Sequence, residues 1–176
     1  MRIELFMEHQ LGETLKNGIA DLLLSSFDGY PKARTFYHQL PTFRYLGFKK
    51  KKCIFHVAID HRVIRVGEQE LEVWALIDFC VEPSNQNKGI GKEAMAYLKQ
   101  EALQANIDFL VLTSDDSQFY ERLNFERKDI RARWVMIHQR RLFGIQERTI
   151  KNTLYVLPIH ENKWPEGTVD FMGTMI

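Results

Sequence analysis

Apolar residues recur along the chain with two different periods, and each period predicts a different element. Between Leu15 and Phe27 they return at steps of three and four, which predicts an amphipathic helix. A second helix is predicted from about Lys88 to Asn106, on the buried face Ala94, Met95, Leu98, Ala102 and Leu103. Short apolar or alternating runs predict strands at RIELFM, FRYLGF, CIFHVAI, HRVIRV, Leu71–Val81, DFLVLTS, DIRARWVMIH and TLYVLPI.

Between these runs, turn residues and charges predict the connections. GYPKARTFYHQLP predicts a turn and a short helix ended by Pro41, and a tight turn is predicted at Asp60. The lysines at 49–52 are typical of a solvated hairpin tip, and a phosphate-binding patch is the alternative. SQFYERLNF predicts a short helix, and the tail after TLYVLPI has no regular pattern. The order is antiparallel strands, one strand–helix–strand crossover, then more strands. It predicts the α/β (α+β) class, with a mixed, mostly antiparallel sheet of about seven strands flanked by helices on both faces.

Composition narrows the class of protein. The 176 residues are 45% hydrophobic and 27% charged with a net charge of +1, so we expect one domain over residues 1–176, no nucleic-acid partner and no membrane. MRIELFMEHQLGE lacks the apolar core of a signal peptide, and no apolar run approaches the ~20 residues that span a bilayer. A cytoplasmic protein is therefore expected. Cys53 and Cys80 lie in apolar runs, and the histidines show no metal-ligand spacing, so neither a disulfide nor a metal site is predicted.

A Gly-x-Gly step follows the strand that ends at Val81 and precedes a helix, a typical place for a bound phosphate. A Walker loop is excluded because Gln86 stands at its first glycine and Glu93 at its Ser/Thr position. A dinucleotide fingerprint fits GIGKEA loosely, but too little chain follows for the remaining strand–helix units. The pattern Q/R-x-x-G-x-G/A is matched at every position by QNKGIG, Gln86–Gly91. A helix start with convenient glycines is the alternative.

QNKGIG resembles the pyrophosphate loop of the GCN5-related N-acetyltransferase (GNAT) superfamily. FYERLNF, from Phe119 to Phe125, resembles the F/L-Y-x-x-x-G-F motif of that superfamily, with Asn124 in place of glycine. Asn tolerates positive φ better than other non-glycine residues. Within the superfamily, LLLSSF, CIFHVAIDHRVIRVGEQELEV and TLYVLPI are most similar to aminoglycoside 2′-N-acetyltransferases. The chain departs from that family at His160, where the family has an acidic residue, and in the tail that follows His160.

The resemblance implies acetyl-CoA as co-substrate, a primary amine as acceptor and the GNAT fold. It implies that coenzyme A is held by Phe79, Cys80, Val81, Gln86, Asn87, Lys88, Gly89, Ile90, Gly91, Lys92, Ser114 and Phe119. Tyr120 is implied as the acid that protonates the leaving thiolate, and a phenol with a reference pKa of about 10 suits that role. A half-buried core tyrosine is the alternative for Tyr120, and a helix cap is the alternative for Ser114. Cys80 as a nucleophile is disfavoured, since no histidine adjoins it in the sequence.

Asp78 is the one charged residue between Trp74 and Val81. A carboxylate inside a strand is costly to desolvate unless it has a partner or faces a cavity. We expect Asp78 to bind the acceptor ammonium and take its proton, or else to be a hydrogen-bonded structural residue. The family's glutamate counts back to Ile77, so Asp78 requires a bulge to take that place. His160 and Trp164 are further expected to bind substrate.

These residues predict an acetyl-CoA-dependent N-acetyltransferase that acts on a small amine, an aminosugar among the options. The alternatives are acetylation of a protein N-terminus or lysine by the same fold, and an acyl-CoA-binding module without activity. A nucleotide-binding oxidoreductase is disfavoured by the glycine spacing. A homodimer is possible for this architecture.

Overall fold

The computed structural model describes residues 1–139 and 141–176. Its α-helices are Glu13–Ser26 (α1), Ile90–Gln104 (α2) and Ser117–Glu121 (α3). Its strands are Arg2–Met7 (β1), Phe43–Lys49 (β2), Lys52–Val66 (β3), Gln69–Val81 (β4), Phe109–Thr113 (β5), Glu126–His138 (β6), Arg141–Pro158 (β7) and Val169–Thr174 (β8). No helix in the described part of the chain combines the length and the apolar character needed to cross a bilayer.

The strands form a mixed sheet in the order β1-β2-β3-β4-β5-β7-β6-β8. β4 and β5 pair in parallel through the crossover that contains α2, and β6 and β8 are also parallel. The pairs β1–β2, β2–β3, β3–β8, β5–β7 and β6–β7 are antiparallel. The predicted α/β (α+β) class is confirmed, with eight strands among the described residues where the sequence indicated about seven.

The chain divides into two compact units, and each contains part of β3 and β4. The first comprises Met1–Asp60 and Leu76–Leu98, and the second comprises His61–Ala75 and Lys99–Ile176. The expectation of one domain over residues 1–176 stays a prediction.

The first unit is built on the antiparallel strands β1, β2 and β3, with α1 packed through its apolar face. Ile19, Leu22 and Leu23 of that face are buried in one cluster with Leu46 and Cys80. Burying these apolar side chains supplies most of the helix's stability, since isolated helices of this length are marginal in water.

The second unit contains a closed ring of six strands. β8 pairs with β6 and also with β3, at Arg65↔Asp170 and Val66↔Val169, which completes the circuit β3-β4-β5-β7-β6-β8. Alternate residues of all six strands form one buried core: Ile64, Val66, Leu71, Val73, Ala75, Phe109, Val111, Ile130, Ala132, Trp134, Leu154, Val156, Val169 and Phe171. This alternation is that of a small barrel whose interior is filled by side chains.

Four local predictions are wrong. Residues 28–42 form turns and bends with no helix, and Asp60 lies inside the continuous strand β3. β7 begins at Arg141, far upstream of TLYVLPI, and the tail forms β8. In each case pairing decides the structure: β3 pairs with β2 before Asp60 and with β8 after it, and β7 pairs along most of β6. Local propensity does not contain this information.

Candidate functional site

The turn between β4 and α2 presents backbone amides to solvent. A 3-10 turn at Pro83–Asn85 follows β4, and Asn87 (φ 58°) and Gly89 (φ 80°) adopt left-handed conformations before α2 begins at Ile90. The Glu93 amide donates to the Gly89 carbonyl at 3.0 Å, so the preceding amides of the first turn have no partner within the helix. A Cβ placed on Gly89 would meet nothing within 4 Å. The space beside Gly89 is therefore open, and amides without partners at a helix N-terminus suit an approaching anion.

Side chains of the turn hold this conformation. The Gln86 amide donates through Nε2 to the Val81 carbonyl at 3.0 Å, which ties the first residue of QNKGIG to the end of β4. Asn85 is buried and donates through Nδ2 to the Glu82 carboxylate at 2.5 Å. Hydrogen bonding from Lys52 holds the pKa of Glu82 below its usual range. The side chain of Gln86 therefore stabilises the turn, and the main-chain amides at the start of α2 remain available to bind a ligand.

Cations also lie on the turn. Lys88 and Lys92 are exposed, and Lys88 Nζ donates to the Ser84 carbonyl at 2.6 Å. Lysine can complement the amides as a point charge toward phosphate.

The backbone of β4 is irregular at Asp78, which has φ 53° within the strand. Three consecutive residues, 77–79, are half-buried, between buried Leu76 and buried Cys80. A non-glycine residue in the left-handed region inside a strand is uncommon. It breaks the strict alternation of faces, and the sequence analysis required such an irregularity at Asp78.

The Asp78 carboxylate accepts a hydrogen bond from the Tyr30 hydroxyl, with 2.6 Å between Oη and Oδ2. Burial raises the pKa of Asp78, while the bond from Tyr30 and the charge of Arg44 act to lower it. Burial and the adjacent carboxylate raise the pKa of Tyr30, so the phenol stays protonated and donates. A raised pKa brings a carboxylate closer to the range useful for general base catalysis.

A buried polar chain behind Asp78 was missed by the sequence analysis. It runs from Glu8 to Arg44 of β2 and on to His56 of β3, and Arg44 and His56 are both 0% exposed. His56 Nδ1 lies 2.9 Å from the Asp78 carbonyl oxygen. The available signal was an arginine and a histidine inside otherwise apolar strand patterns, FRYLGF and CIFHVAI. Buried polar groups of this kind require partners.

The neighbours of Asp78 on β4 are apolar in character. The Phe79 ring packs edge-on against Phe55, with 5.2 Å between centroids. Cys53 and Cys80 are free thiols, and burial raises the pKa of Cys80 to about 12. A thiol with this pKa is protonated at neutral pH, which agrees with disfavouring Cys80 as a nucleophile. Among the described residues, no group of three or more His, Cys, Asp or Glu is placed to hold a metal ion.

Tyr120 lies in the second unit, in α3, with 8% of its surface exposed. Its ring packs against Phe119, Phe125 and Tyr155 at centroid distances of 5.1, 5.6 and 5.7 Å. Asn124 of the FYERLNF motif has φ 67°, the left-handed conformation expected where the family has glycine. The motif thus forms the same tight turn with asparagine in place of glycine.

The other predicted residues of the second unit lie at its turns and core. Ser114 Oγ accepts from the Asp116 amide at 3.0 Å, at the turn that leads into α3. Trp164 packs edge-on against Phe109 of the barrel core, with 5.1 Å between centroids. His160 Nε2 is buried and has no hydrogen-bond partner among the described residues. Asp78 and residues 86–92 belong to the first unit, whereas Tyr120, Ser114, His160 and Trp164 belong to the second.

Comparison with known proteins finds similarity to the same superfamily. Residues 51–127 match the family model described as an acetyltransferase (GNAT) domain. The crystal structure of YhbS, a GNAT family N-acetyltransferase from Escherichia coli in complex with CoA, is 15% identical over 96% of this chain and 88% of its own, with a TM-score of 0.67. An aminoglycoside 6′-N-acetyltransferase complexed with coenzyme A is 15% identical over 93% of this chain and 99% of its own, with a TM-score of 0.62.

A third crystal structure has a protein acceptor in its name. The ribosomal-protein-S18-alanine N-acetyltransferase from Escherichia coli is 17% identical over 93% of this chain and 99% of its own, with a TM-score of 0.58. Likeness at these identities shows the fold and does not distinguish the acceptors. The chain thus has the GNAT fold, and its residues 51–127 are similar to the acetyltransferase domain of that superfamily.

Proposed function

We propose that this protein transfers the acetyl group of acetyl-CoA directly to the primary amine of a small molecule, with aminosugars among the candidate acceptors. The observation that carries the proposal is the exposed turn at Gly89 and Ile90, whose main-chain amides form what we call the cradle. This turn follows a strand that contains the half-buried carboxylate of Asp78. One feature suits a diphosphate and the other suits an ammonium group.

Coenzyme A is proposed to bind along the end of β4 and its turn. The main chain of Phe79–Val81 pairs with the pantetheine arm, and an amide there polarises the thioester oxygen. The amides of residues 86–92 hold the pyrophosphate, with Lys88 and Lys92 as counter-charges. Ser114 and Phe119 are proposed as further contacts on the basis of the family resemblance.

The chemistry requires one base and one acid. Asp78 binds the acceptor ammonium and takes its proton, and the free amine then attacks the thioester carbonyl. The C–S bond breaks as the amide bond forms, and Tyr120 gives its proton to the departing thiolate. The attacking nitrogen loses its second proton to solvent, and solvent reprotonates the Tyr120 phenolate. The raised pKa of Asp78 supports the first role, since burial makes the carboxylate a stronger base. Tyr120 in the second role rests on the family resemblance. His160 and Trp164 are proposed as acceptor contacts from their places after TLYVLPI, where the chain departs from that family.

The test combines binding and turnover. Calorimetry with coenzyme A and acetyl-CoA measures occupation of the cradle, and thiol release with a panel of aminosugars, other small amines and peptides measures transfer. We expect binding of both thioester and thiol forms, with turnover on small amines. Turnover on peptides alone would assign a protein acceptor, and binding without turnover would assign a silent acyl-CoA module. Absence of binding would remove the proposal.

Tyr120→Phe tests the proposed acid separately. We expect turnover to fall by roughly 10²-fold, the usual scale for general acid catalysis, with acetyl-CoA affinity nearly unchanged. Tyr97→Phe, on α2 of the first unit, is the control substitution. An unaltered kcat for Tyr120→Phe would remove this residue from the mechanism.

A further inference from the structure

The chain Glu8–Arg44–His56 ends on the main chain of Asp78, and its middle residue, Arg44, is a fully buried cation. Arg44 Nε donates to Glu8 Oε2 at 2.8 Å, and Arg44 Nη2 donates to Glu8 Oε1 at 3.3 Å. This two-point contact fixes the plane of the guanidinium. The third nitrogen, Nη1, lies 2.8 Å from His56 Nε2.

The direction of these bonds determines the tautomer of His56. A guanidinium only donates, so His56 Nε2 accepts and carries no proton. The proton is therefore on Nδ1, which donates to the Asp78 carbonyl oxygen at 2.9 Å. Burial, with the charge of Arg44, lowers the pKa of His56 to about 3, so the ring stays neutral in this arrangement. Every polar atom of the ring has a defined partner.

Asp78 is held at two points by groups from other elements. Its backbone is in the left-handed region, and its carbonyl receives the bond from His56. Its carboxylate receives the bond from Tyr30. The titratable and charged groups that act on this carboxylate are Tyr30, Arg44 and Cys80. Since the strained backbone directs the side chain, fixing the carbonyl fixes where the carboxylate points.

We infer that Glu8, Arg44 and His56 are positioning residues that hold Asp78 in its left-handed conformation and thereby set where its carboxylate meets the acceptor amine. The inference rests on the proposed function for the role of Asp78. The three residues act through Asp78 and do not themselves touch the reacting atoms.

Three variants separate positioning from general stability. His56→Leu removes both ring nitrogens, whereas His56→Asn keeps an amide donor near the place of Nδ1. Val57→Ala is the matched control, because Val57 is 0% exposed, adjoins His56 in β3 and faces the other side of the strand. It lowers core stability without touching the chain.

For His56→Leu we expect kcat/KM for the amine to fall about tenfold to a hundredfold, the scale of a small misplacement of a reacting group. The KM for acetyl-CoA should stay the same, and the acid limb of the pH–rate profile should move. His56→Asn should recover most of the rate. Val57→Ala should lower the Tm with rate and pH profile unchanged.

A spectroscopic arm needs no turnover. In the wild-type protein, ¹⁵N NMR should show His56 protonated on Nδ1 and unprotonated on Nε2. ¹³C NMR should show that His56→Leu displaces the titration of the Asp78 carboxyl group and that His56→Asn displaces it less. If His56→Leu does not fold, the displacement in His56→Asn relative to the wild type is the readout. A proton on Nε2 of His56 would overturn the inference. So would a folded His56 variant whose Asp78 titration and kcat/KM for the amine both match those of the wild type. An inactive wild-type protein would overturn the proposed function alone, because the NMR readouts still decide the positioning.

Discussion

Arg44 has no solvent exposure, so its hydrogen bonds must replace the water that a guanidinium loses on burial. Glu8 supplies the opposite charge, and the neutral His56 ring supplies an acceptor. Removing one partner of a buried ion pair costs about 3–5 kcal/mol because the remaining charge stays buried. A buried charge at this cost is a strong constraint on the conformation of the residues that solvate it.

The bond from Tyr30 to Asp78 predicts the pH dependence of acetyl transfer. The bond stabilises the ionised carboxylate, so Tyr30→Phe should raise the pKa of Asp78 further above its usual range. A base must be ionised to act, so the acid limb of kcat/KM for the amine should move to higher pH. Tyr37→Phe is the control, since the Tyr37 ring packs beside Tyr30 at 6.1 Å and is half exposed. Coinciding profiles for Tyr30→Phe and the wild type would contradict a catalytic Asp78.

His56 predicts a loss of stability on acidification. Its pKa is about 3 in the folded protein and 6.5 for the unperturbed group, so the unfolded chain takes up a proton as pH falls below 6.5. The stability due to neutral His56 is complete above pH 6.5 and is lost toward pH 3, by about 1.4 kcal/mol per pH unit. Asp78 acts in the opposite sense, because its folded pKa is raised.

Urea unfolding at pH 6.5, 5.5 and 4.5 measures this effect, with His56→Asn as the reference that lacks the titrating ring. The free energy of unfolding should fall more steeply with acid in the wild type than in His56→Asn. The contribution of Asp78 should be nearly the same in both proteins, because His56→Asn keeps a donor near the Asp78 carbonyl. Parallel slopes would show that His56 is not buried in its neutral form.

At the scale of elements, the turn before α2 should be sensitive to a single added methyl group, which we expect to weaken the binding of coenzyme A. Gly89→Ala places a Cβ in the open space before the amides and forces a side chain into the left-handed region. We expect a stability loss of about 1 kcal/mol and a much weaker binding of coenzyme A. Gly29→Ala is the control, because Gly29 has φ 75° and equally open surroundings in the same unit. Calorimetry should show weaker binding only for Gly89→Ala; equal affinities would place the pyrophosphate elsewhere.

Elements whose signal is local were predicted well from the sequence. The period of α1, the apolar run of β4 and the glycine spacing before α2 are each contained in a short window, and their bounds agree within a few residues. In the segment 28–42 the sequence predicted a turn and a short helix ended by Pro41, yet the segment forms turns and bends. Tyr30 of this segment is buried against Asp78, so tertiary packing decides its conformation.

At the scale of the whole chain, the features that the sequence could not reveal are contacts between distant residues. The barrel closes where Val66 meets Val169, and the positioning chain joins Glu8, Arg44, His56 and Asp78. A strand such as β8 has no strong local signal, because VDFMGT is short and contains a glycine. Its β structure is stabilised by pairing with β3 and β6.

Closure of the barrel depends on two glycines that pass each other closely. Gly67 has φ 58° and Gly167 has φ 125°, and the Gly67 amide donates to the Thr168 carbonyl at 3.1 Å. A Cβ on Gly167 would lie 2.7 Å from the Gly67 Cα, and a Cβ on Gly67 would lie 2.5 Å from the Glu166 carbonyl oxygen. Because both obstacles are backbone, neither can move aside without displacing a strand.

Gly167→Ala should therefore lower the free energy of unfolding by about 3 kcal/mol, from the positive φ and from overpacking together. Gly144→Ala is the matched control in the same unit: its φ is 90° and a Cβ there meets nothing within 4 Å, so it should cost only about 1 kcal/mol. Urea unfolding measures both, and amide hydrogen exchange at residues 65–66 and 169–170 should rise in Gly167→Ala alone. Equal losses for the two variants, with exchange unchanged, would mean that the pairing of β3 with β8 contributes little to the stability of the barrel.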